Sequence, residues 1–192
     1  MEEKIIRFMN VVEKLKYTLR HNWTVTGRQE SVAEHSWRMI IFFFLIKDLL
    51  KIEEIDSLKM VKMMAIHDIP EVIDGDVPGF EKKSHHYEKE IENAREVFDL
   101  LPAPRNQEYL DLIIEFEEGK TAEAKLAKAL DKIETQIQHL NSGPEYWCKE
   151  EIGEHMLSYP NAALEKLGNK SIDRIWRLIE KELKDITNQI AE

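Results

Sequence analysis

The stretch from Ser31 to Lys51, SVAEHSWRMIIFFFLIKDLLK, decides the fold class of this chain. Ser31 and Glu34 have the spacing of a capping box, which marks the beginning of a helix. The apolar run Ile40–Ile46 that follows has seven residues. Because a membrane-spanning helix needs about twenty apolar residues, this run predicts a helix buried in a protein core. His35 then lies in the first turn of that helix or just after it.

Helical patterns also cover most of the chain on either side of this stretch. Residues 2–19 place apolar side chains three and four positions apart, which is one face of an α-helix. Residues 20–27 interrupt the pattern and are predicted to form a loop, and Ser57 is expected to cap a helix that Pro70 limits. Further helices are predicted at about 84–101, 105–118, 121–141, 145–157 and 171–190, with a loop or short turn over 71–80.

The composition limits both the fold and the class of partner. A chain of 192 residues, with 43% hydrophobic and 33% charged residues, predicts one globular domain over residues 1–192. Seven Gly and six Pro are too few for the turns of many short strands, so we expect an all-α fold of roughly seven to nine helices. The net charge of −10 argues against a nucleic-acid polymer or an anionic membrane as the main partner.

Two features of the sequence concern the cellular compartment. Cys148 is the only cysteine, so no internal disulfide can form and a reducing compartment is favoured. Residues 1–4 are mainly acidic and enter a helical pattern at once, which is unlike a secretory signal peptide. We therefore expect a cytoplasmic protein.

Histidines and carboxylates from three predicted helices are the candidates for chemistry. They are His35, the pair His67-Asp68, and Asp131. Asp131 continues a stripe of small residues formed by Ala124 and Ala127, which lies beside the apolar face of its helix. A carboxylate held near a core must be paired or must bind a metal, because desolvating it alone is costly. An Arg or Lys partner would serve Asp131 as well as a metal ion.

These segments and their flanking residues resemble the HD-domain metal-dependent phosphohydrolases, whose pattern is a His, then His-Asp, then a distant Asp. The resemblance extends over residues 28–36 (RQESVAEHS), 67–78 (HDIPEVIDGDVP) and 122–132 (AEAKLAKALDK). It is closest to the small single-domain 5′-deoxynucleotidases, which remove phosphate from deoxyribonucleoside monophosphates. The similarity covers about residues 5–145 and leaves the C-terminal helices, about 145–190, without an assigned role.

The resemblance implies that His35, His67, Asp68 and Asp131 bind one divalent metal ion per chain. A mixed set of imidazole nitrogens and carboxylate oxygens suits Mn²⁺, Co²⁺, Fe²⁺, Ni²⁺ or Zn²⁺ better than a metal that prefers thiolates. Mg²⁺ also stays open, and the sequence does not distinguish these ions. Such an ion would polarise a phosphoryl group and lower the pKa of bound water.

The resemblance also assigns two catalytic carboxylates. Glu71 follows His67 by four residues, so a roughly helical turn would project it over the same site. There it is implied to orient or deprotonate the attacking water, although a solvated loop glutamate is the alternative. Asp76 is implied to help hold the nucleophile or to protonate the leaving 5′-oxygen, and the neighbouring Asp74 is expected to be a turn residue.

Arg20 matches the family's arginine that orients the substrate phosphate, a role that suits the fork of a guanidinium. Some members have Trp directly after this arginine, whereas this chain has His21 there and Trp23 three positions after the arginine. Which of the two forms the wall around the sugar is left open, with Trp23 expected to matter more. The other implied substrate contacts are Asp68, Asp76, Val77, Pro78, Gly79 and Asp131, whereas His85, His86, His139 and His155 are predicted to be surface or structural residues.

The sequence therefore predicts a metal-dependent phosphomonoesterase that acts on deoxyribonucleoside 5′-monophosphates. One alternative is an HD phosphohydrolase or phosphodiesterase that acts on another nucleotide. The other is a non-catalytic scaffold that keeps the metal site for structure, and the presence of Glu71 and Asp76, which no ligand role needs, argues against it. The resemblance implies a homodimer.

Overall fold

The computed structural model describes residues 1–51, 55–82, 84–149, 152, 157–158 and 160–191. Over these residues the chain is mainly helical, which confirms the all-α prediction. The helices are α1 (Glu2–Val12), α2 (Val32–Leu50), α3 (Ser57–Ile66), α4 (Glu71–Asp74), α5 (Ser84–Phe98), α6 (Arg105–Glu118), α7 (Ala122–Ser142), α8 (Asn161–Leu167) and α9 (Lys170–Ala191), with short 3₁₀ helices at Glu13–Lys16 and Pro144–Tyr146.

The helix that the sequence predicts most directly is α2. Ser31 is its N-cap, and the capping box with Glu34 is present in both directions. The face that carries Met39 and Phe43 is almost completely buried, but Ile41, Phe44 and Leu45 are exposed, so the apolar run is buried on one side only and not throughout as predicted. Helix α7 begins in the predicted way too, because the side chain of Thr121 accepts a hydrogen bond from the backbone of Ala124.

The loop predicted at residues 20–27 is wrong, because the first part of it is a strand. Strand β1 (Leu19–Trp23) pairs antiparallel with β2 (Gln29–Ser31), and the two form a small hairpin directly before α2. Alternate side chains of β1 are buried, but they are the polar Arg20 and Asn22. A strand that buries polar residues lacks the apolar alternation by which strands are recognised in a sequence.

Three other local predictions are corrected. Asp56, not Ser57, caps α3, since its carboxylate accepts hydrogen bonds from the backbone of Leu58 and Lys59. The segment after Pro70 contains the one-turn helix α4. The helix predicted at 145–157 is replaced by the 3₁₀ helix Pro144–Tyr146 and a non-helical segment 147–149, and most of its remaining residues lie outside the described part of the chain.

Helix α7 lies at the centre of the molecule. It packs against α2, α3, α6, α8, α9 and strand β1. Leu126 and Leu130 of α7 are fully buried in the same core as Met60 and Met64 of α3. Asp131 follows Leu130 at the middle of this helix, so the fold places a carboxylate beside its own core.

None of the described helices combines the length and the apolar character that crossing a membrane requires.

Candidate metal centre and active site

The first predicted ligand, His35, lies in the first turn of α2 and is fully buried. Its Nδ1 is 2.5 Å from Oε2 of Glu134, a residue of α7. Its Nε2 faces the opposite way, 3.2 Å from Oδ1 of Asp131 and 3.8 Å from Oδ2 of Asp68. The carboxylate on Nδ1 therefore sets the orientation of the ring and leaves Nε2 directed at the other predicted ligands.

The second predicted ligand, His67, follows the last residue of α3. Its Nδ1–H donates a hydrogen bond of 2.9 Å to the backbone carbonyl of Met64. This bond selects the tautomer whose Nε2 carries a lone pair, and Nε2 lies 3.0 Å from Oδ2 of Asp68. The rings of His67 and His35 have their centroids 5.6 Å apart.

Three buried atoms in this group make no hydrogen bond within the described residues: Nε2 of His35, Nε2 of His67 and Oδ2 of Asp68. Ligand atoms of these three residues all lie within 4.8 Å of one another. Buried polar atoms without a partner are costly, and they commonly mark an ion that completes the site. His35, His67 and Asp68 therefore fit a divalent metal ion. Asp131 lies beside this group, with its Oδ1 3.2 Å from Nε2 of His35.

The charges of the site also suit a cation. Burial opposes ionisation of Asp68, but His67, His35 and Arg20 outweigh it and lower the pKa of Asp68 to about 2. The pKa of Asp131 is likewise lowered, against the effect of burial, by its contact with His35. Both carboxylates are therefore negatively charged at neutral pH.

A buried network of charged side chains lies on the Nδ1 side of His35, away from the predicted ligands. Arg38 Nε is 3.1 Å from Oε1 of Glu134, and Arg38 Nη1 is 3.8 Å from Oε1 of Glu30. Glu30 in turn lies 3.5 Å from Nε of Arg20. Glu30, Glu134 and His35 are close enough to hold a cation themselves, but Arg38 already lies beside both glutamates, and burial and Glu134 raise the pKa of Glu30 to about 7. We therefore interpret this cluster as the support of His35.

Arg20 lies on β1 between the support network and the predicted metal ligands. Its Nη2 donates a hydrogen bond of 3.2 Å to Oγ1 of Thr135. Its Nη1 is 3.6 Å from Oδ2 of Asp68 and 3.8 Å from Oδ1 of Asp76. Burial works against the charge, but Asp76 and Asp68 raise the pKa of Arg20 above its ordinary value. The guanidinium is thus charged and held directly beside the candidate metal centre.

The two predicted catalytic carboxylates face the same cavity and have opposite electrostatic environments. Burial, Asp68 and Asp76 raise the pKa of Glu71 well above its ordinary value, and its Oε2 has no hydrogen bond within the described residues. Burial would raise the pKa of Asp76 too, but Arg20 and His21 outweigh it and lower that pKa. The carboxylate of Glu71 is thus a stronger base than that of an ordinary glutamate, whereas the carboxylate of Asp76 is a weaker base.

Asp74, expected to be a turn residue, lines the larger cavity, but its carboxylate is bonded to α5. It ends α4, and its Oδ2 accepts a hydrogen bond of 2.8 Å from the side chain of Asn93 on α5. This contact holds the short helix α4, and therefore Glu71, against α5.

Two neighbouring cavities open at the site, with volumes of about 60 and 310 Å³. The larger one reaches the lower end of the range of small-molecule pockets. Both are lined by Asp68, Glu71, Val77, Lys82 and Asp131, so the candidate centre lies where they meet. The smaller cavity is also lined by Arg20, His21, Asp76, Gly79, Phe80, Thr135, Gln136 and His139.

Two residues predicted to contact the substrate lie elsewhere. Trp23 lines neither cavity, because its ring stacks on Tyr146 with the centroids 5.1 Å apart. Pro78 is likewise absent from the lining, although its neighbours Val77 and Gly79 are part of it. His21 takes the place beside the cavity, with its Nδ1 3.7 Å from Oδ2 of Asp76.

Two of the histidines outside the motifs, which were predicted to be surface or structural residues, border the cavities. His139 is buried and lines the smaller cavity, and His86 lines the larger one. The side chain of His85, and the whole of His155, lie outside the described residues.

Sequence reasoning missed Glu134, Thr135 and Gln136 as well as His139. All four follow Asp131 on α7, within eight residues of it. Glu134 and Thr135 lie three and four positions after Asp131, which puts them on the same face of the helix. That spacing was the signal available in the sequence.

Comparison with known proteins gives the chain a family context. Residues 12–172 match the family model of the HD domain. The human 5′-deoxynucleotidase HDDC2 is 30% identical over 138 residues, which are 70% of this chain and 66% of that protein. The Dictyostelium discoideum 5′-deoxynucleotidase HDDC2 is 33% identical over 141 residues, which are 69% of this chain and 74% of that protein. This chain thus spans about two thirds of the length of the human relative.

Solved structures agree with this result. A crystal structure from Magnetospirillum magnetotacticum, described as a predicted metal-dependent phosphohydrolase, superposes with a TM-score of 0.82 at 26% sequence identity. The match covers 95% of this chain and 92% of that one. A conserved hypothetical protein from Pyrococcus furiosus is 31% identical, with a TM-score of 0.65 over 94% of this chain and 99% of that one.

Proposed function

This chain belongs to the HD-domain family, and we propose that it is a metal-dependent phosphomonoesterase that hydrolyses deoxyribonucleoside 5′-monophosphates to deoxyribonucleosides and phosphate. The observation that carries the proposal is the group of unpartnered ligand atoms on His35, His67 and Asp68, beside a buried arginine. The names of the human and Dictyostelium relatives support the choice of substrate.

His35, His67, Asp68 and Asp131 would hold one divalent ion. When bound, such an ion polarises the phosphoryl group and lowers the pKa of its water. The proposed set leaves the identity of the metal open among Mn²⁺, Co²⁺, Fe²⁺, Ni²⁺, Zn²⁺ and Mg²⁺, because imidazole and carboxylate are ligands for all of them.

The other residues of the site bind the phosphate, orient the water and transfer the proton. Arg20 binds the phosphate oxygens through its Nη1 edge, which faces the ligands, while Thr135 holds Nη2. Glu71 orients the attacking water and takes its proton. As water attacks phosphorus and the bond to the 5′-oxygen breaks, that oxygen receives a proton, and Glu71 can return the one that it took. Asp76, which Arg20 keeps ionised, helps to hold the water rather than donating the proton.

The wall around the sugar is assigned to His21. It lines the cavity, whereas Trp23 does not. An apolar wall rejects an added hydroxyl group by about 10²-fold. We therefore expect deoxyribonucleotides to be preferred over ribonucleotides by at least that order, with the preference relaxed more in His21→Ala than in Trp23→Ala. This reverses the order expected from the sequence.

The experiment that tests the function is phosphate release from a panel of deoxyribonucleoside and ribonucleoside monophosphates, with Co²⁺ or Mn²⁺ added to the purified protein. Glu71→Ala should keep the metal and lower kcat by about 10²- to 10⁴-fold, the usual scale for a positioned acid or base. Equal turnover of dAMP and AMP would refute the substrate class but not the phosphohydrolase. Loss of metal from Glu71→Ala would make Glu71 a ligand, and no turnover of any nucleotide would favour a non-catalytic scaffold.

The homodimer that the resemblance implies is also a proposal. Helix α2 exposes five large apolar side chains on one face, opposite the face that it buries: Trp37, Ile41, Phe44, Leu45 and Leu49. A second copy could cover this stripe. Light scattering of the purified protein should give the mass of a dimer, and Phe44→Glu should give that of a monomer. A wild-type monomer would contradict the proposal, and the cytoplasmic location stays a prediction from the sequence.

A further inference from the structure

The mechanism above leaves unused a glutamine that borders the active-site cavity. Gln136 is 2% exposed, yet it belongs to the lining of the smaller cavity. Its Oε1 is buried and has no hydrogen-bond partner within the described residues. A buried amide oxygen without a partner destabilises the folded state, because it has lost its hydrogen bonds to water. A ligand in the cavity can supply the missing bond.

The position of Gln136 along α7 indicates which part of the substrate it meets. Asp131 belongs to the candidate metal centre, and Thr135, one turn later, holds the phosphate-binding Arg20. Gln136 follows directly, roughly 7.5 Å from Asp131 along the helix axis. A phosphate held between Asp131 and Arg20 would therefore direct its nucleoside towards Gln136.

The surroundings of Gln136 suit a flat heterocycle. The same cavity is lined by the rings of His21, Phe80 and His139. His21 contacts Phe80 edge to face, with the centroids 5.7 Å apart, and lies 5.9 Å from the ring of His139. Aromatic rings beside an amide that can donate and accept hydrogen bonds are the elements with which proteins recognise unpaired nucleobases.

His139 is held firmly in this lining. The side chain of Asn22 lies 3.2 Å from its Nε2, and Trp147 donates a hydrogen bond of 3.0 Å to its backbone carbonyl. The ring of His139 is therefore fixed in the lining, and the amide oxygen of Gln136 in the same lining is buried without a hydrogen bond within the described residues.

We propose that Gln136 is a specificity-determining residue that hydrogen-bonds the nucleobase of the substrate. This inference rests on the proposed function, because it assigns a base to the ligand of that site. It adds a property that the metal ligands and Arg20 cannot provide, since those residues recognise only the phosphate.

The test compares substrates with and without a base in two matched variants. Gln136→Met removes the amide and keeps the approximate size of the side chain. Gln138→Met is the control: Gln138 is also a buried glutamine of α7, but its Nε2 donates to the backbone carbonyl of Trp23 and it does not line the smaller cavity. The kcat/KM is measured for the four deoxyribonucleoside monophosphates and for 2-deoxyribose 5-phosphate, which lacks the base.

We expect Gln136→Met to lower kcat/KM for the preferred deoxyribonucleotide by about 3- to 10-fold, the range for one net hydrogen bond. Its kcat/KM for 2-deoxyribose 5-phosphate should not change, so the ratio of the two substrates falls. In Gln138→Met this ratio should equal that of the wild type. An equal loss on 2-deoxyribose 5-phosphate, or no loss on any nucleotide, would overturn the assignment.

Two further measurements separate the role of Gln136 from that of the whole site. Because its amide oxygen has no partner, Gln136→Met should melt at the same temperature as the wild type or higher, whereas Gln138→Met should melt lower. Binding of the same deoxyribonucleotides to metal-free protein, measured by calorimetry, should weaken only in Gln136→Met. A wild type that neither hydrolyses nor binds any deoxyribonucleotide overturns both proposals, and hydrolysis without a Gln136 effect overturns only this one.

Discussion

His67 is oriented by its own helix, whereas His35 is oriented by a side chain 99 residues further along the chain. The carbonyl of Met64, one turn before His67, fixes the first ring. Glu134, itself held by Arg38, fixes the second. Both rings direct Nε2 to the same place, but they depend on different parts of the fold.

The orientation of His67 thus depends on local structure, whereas the orientation of His35 depends on long-range contacts. A backbone carbonyl cannot be removed by changing a side chain, so the end of α3 keeps His67 oriented whatever residue occupies position 64. The beginning of α2 keeps His35 oriented only while α7 and the hairpin bring Glu134, Arg38 and Glu30 together. Substitutions far from the cavity should therefore disturb the orientation of His35 more than that of His67.

The largest effect should come from removing either ring. His35→Ala and His67→Ala should each purify without metal, because a tetrad that has lost an imidazole binds divalent ions much more weakly. Chelating the wild-type protein should lower its melting temperature, since an ion bound only by the folded state adds stability. Metal content is measured by elemental analysis, and full occupancy in either variant would refute the ligand set.

The second effect, on metal affinity, distinguishes the support of His35 from that of His67. Glu134→Gln should weaken metal binding by about 10- to 100-fold, the usual consequence of removing the carboxylate behind a metal-bound histidine. Met64→Leu is the matched change behind His67, and it should leave the affinity unaltered because the carbonyl stays in place. Titration of metal-free protein with Co²⁺ measures both. Equal affinities in the two variants would mean that Glu134 does not position His35.

A smaller effect is expected at the helix cap next to His35. Ser31→Ala removes the hydroxyl that accepts a hydrogen bond from the backbone of Glu34. Losing such a cap costs about 1 kcal/mol of the free energy of unfolding. The loss, measured by urea denaturation of metal-free protein, should exceed that of Ser57→Ala, because Asp56 rather than Ser57 caps α3. Equal losses would argue against the cap assignment.

The smallest effect is a dependence on pH at the same cap. A hydrogen bond from Arg28 and the bonds from Ser31 lower the pKa of Glu34 to about 2, although burial opposes the shift. A carboxyl whose pKa is lower in the folded state stabilises the fold above its unfolded pKa, and this contribution is lost as the pH falls towards 2. The pair is exposed, so the contribution is small. The difference in the free energy of unfolding between wild type and Glu34→Gln should be constant from pH 6 to 8 and should shrink below about pH 4.5. A difference that grew below pH 4.5 would contradict the lowered pKa of Glu34.

The residues that the sequence could place are those whose surroundings are local. The capping box located His35, and helical spacing put Glu71 over the turn that carries His67. The residues that hold His35 could not be predicted from local patterns, because the contact between Arg38 and Glu30 exists only where the hairpin meets α2. The stacking of Trp23 on Tyr146 was not predictable for a similar reason: Tyr146 lies far along the chain, in a segment predicted to have a different structure.

Helix α7 carries the ligand Asp131, the support Glu134, the anchor Thr135 and the cavity residue Gln136 within less than two turns. In the proposed site, the residues for the metal ion, the phosphate and the base therefore all come from one short stretch of this helix. If Gln136 contacts the base as proposed, replacing its side chain changes the substrate preference while the other three residues stay in place. Inserting one residue after Asp131 would rotate every later position by about 100° and would disconnect three properties at once. The substrate specificity can therefore change through a substitution in this helix, but not through an insertion or a deletion.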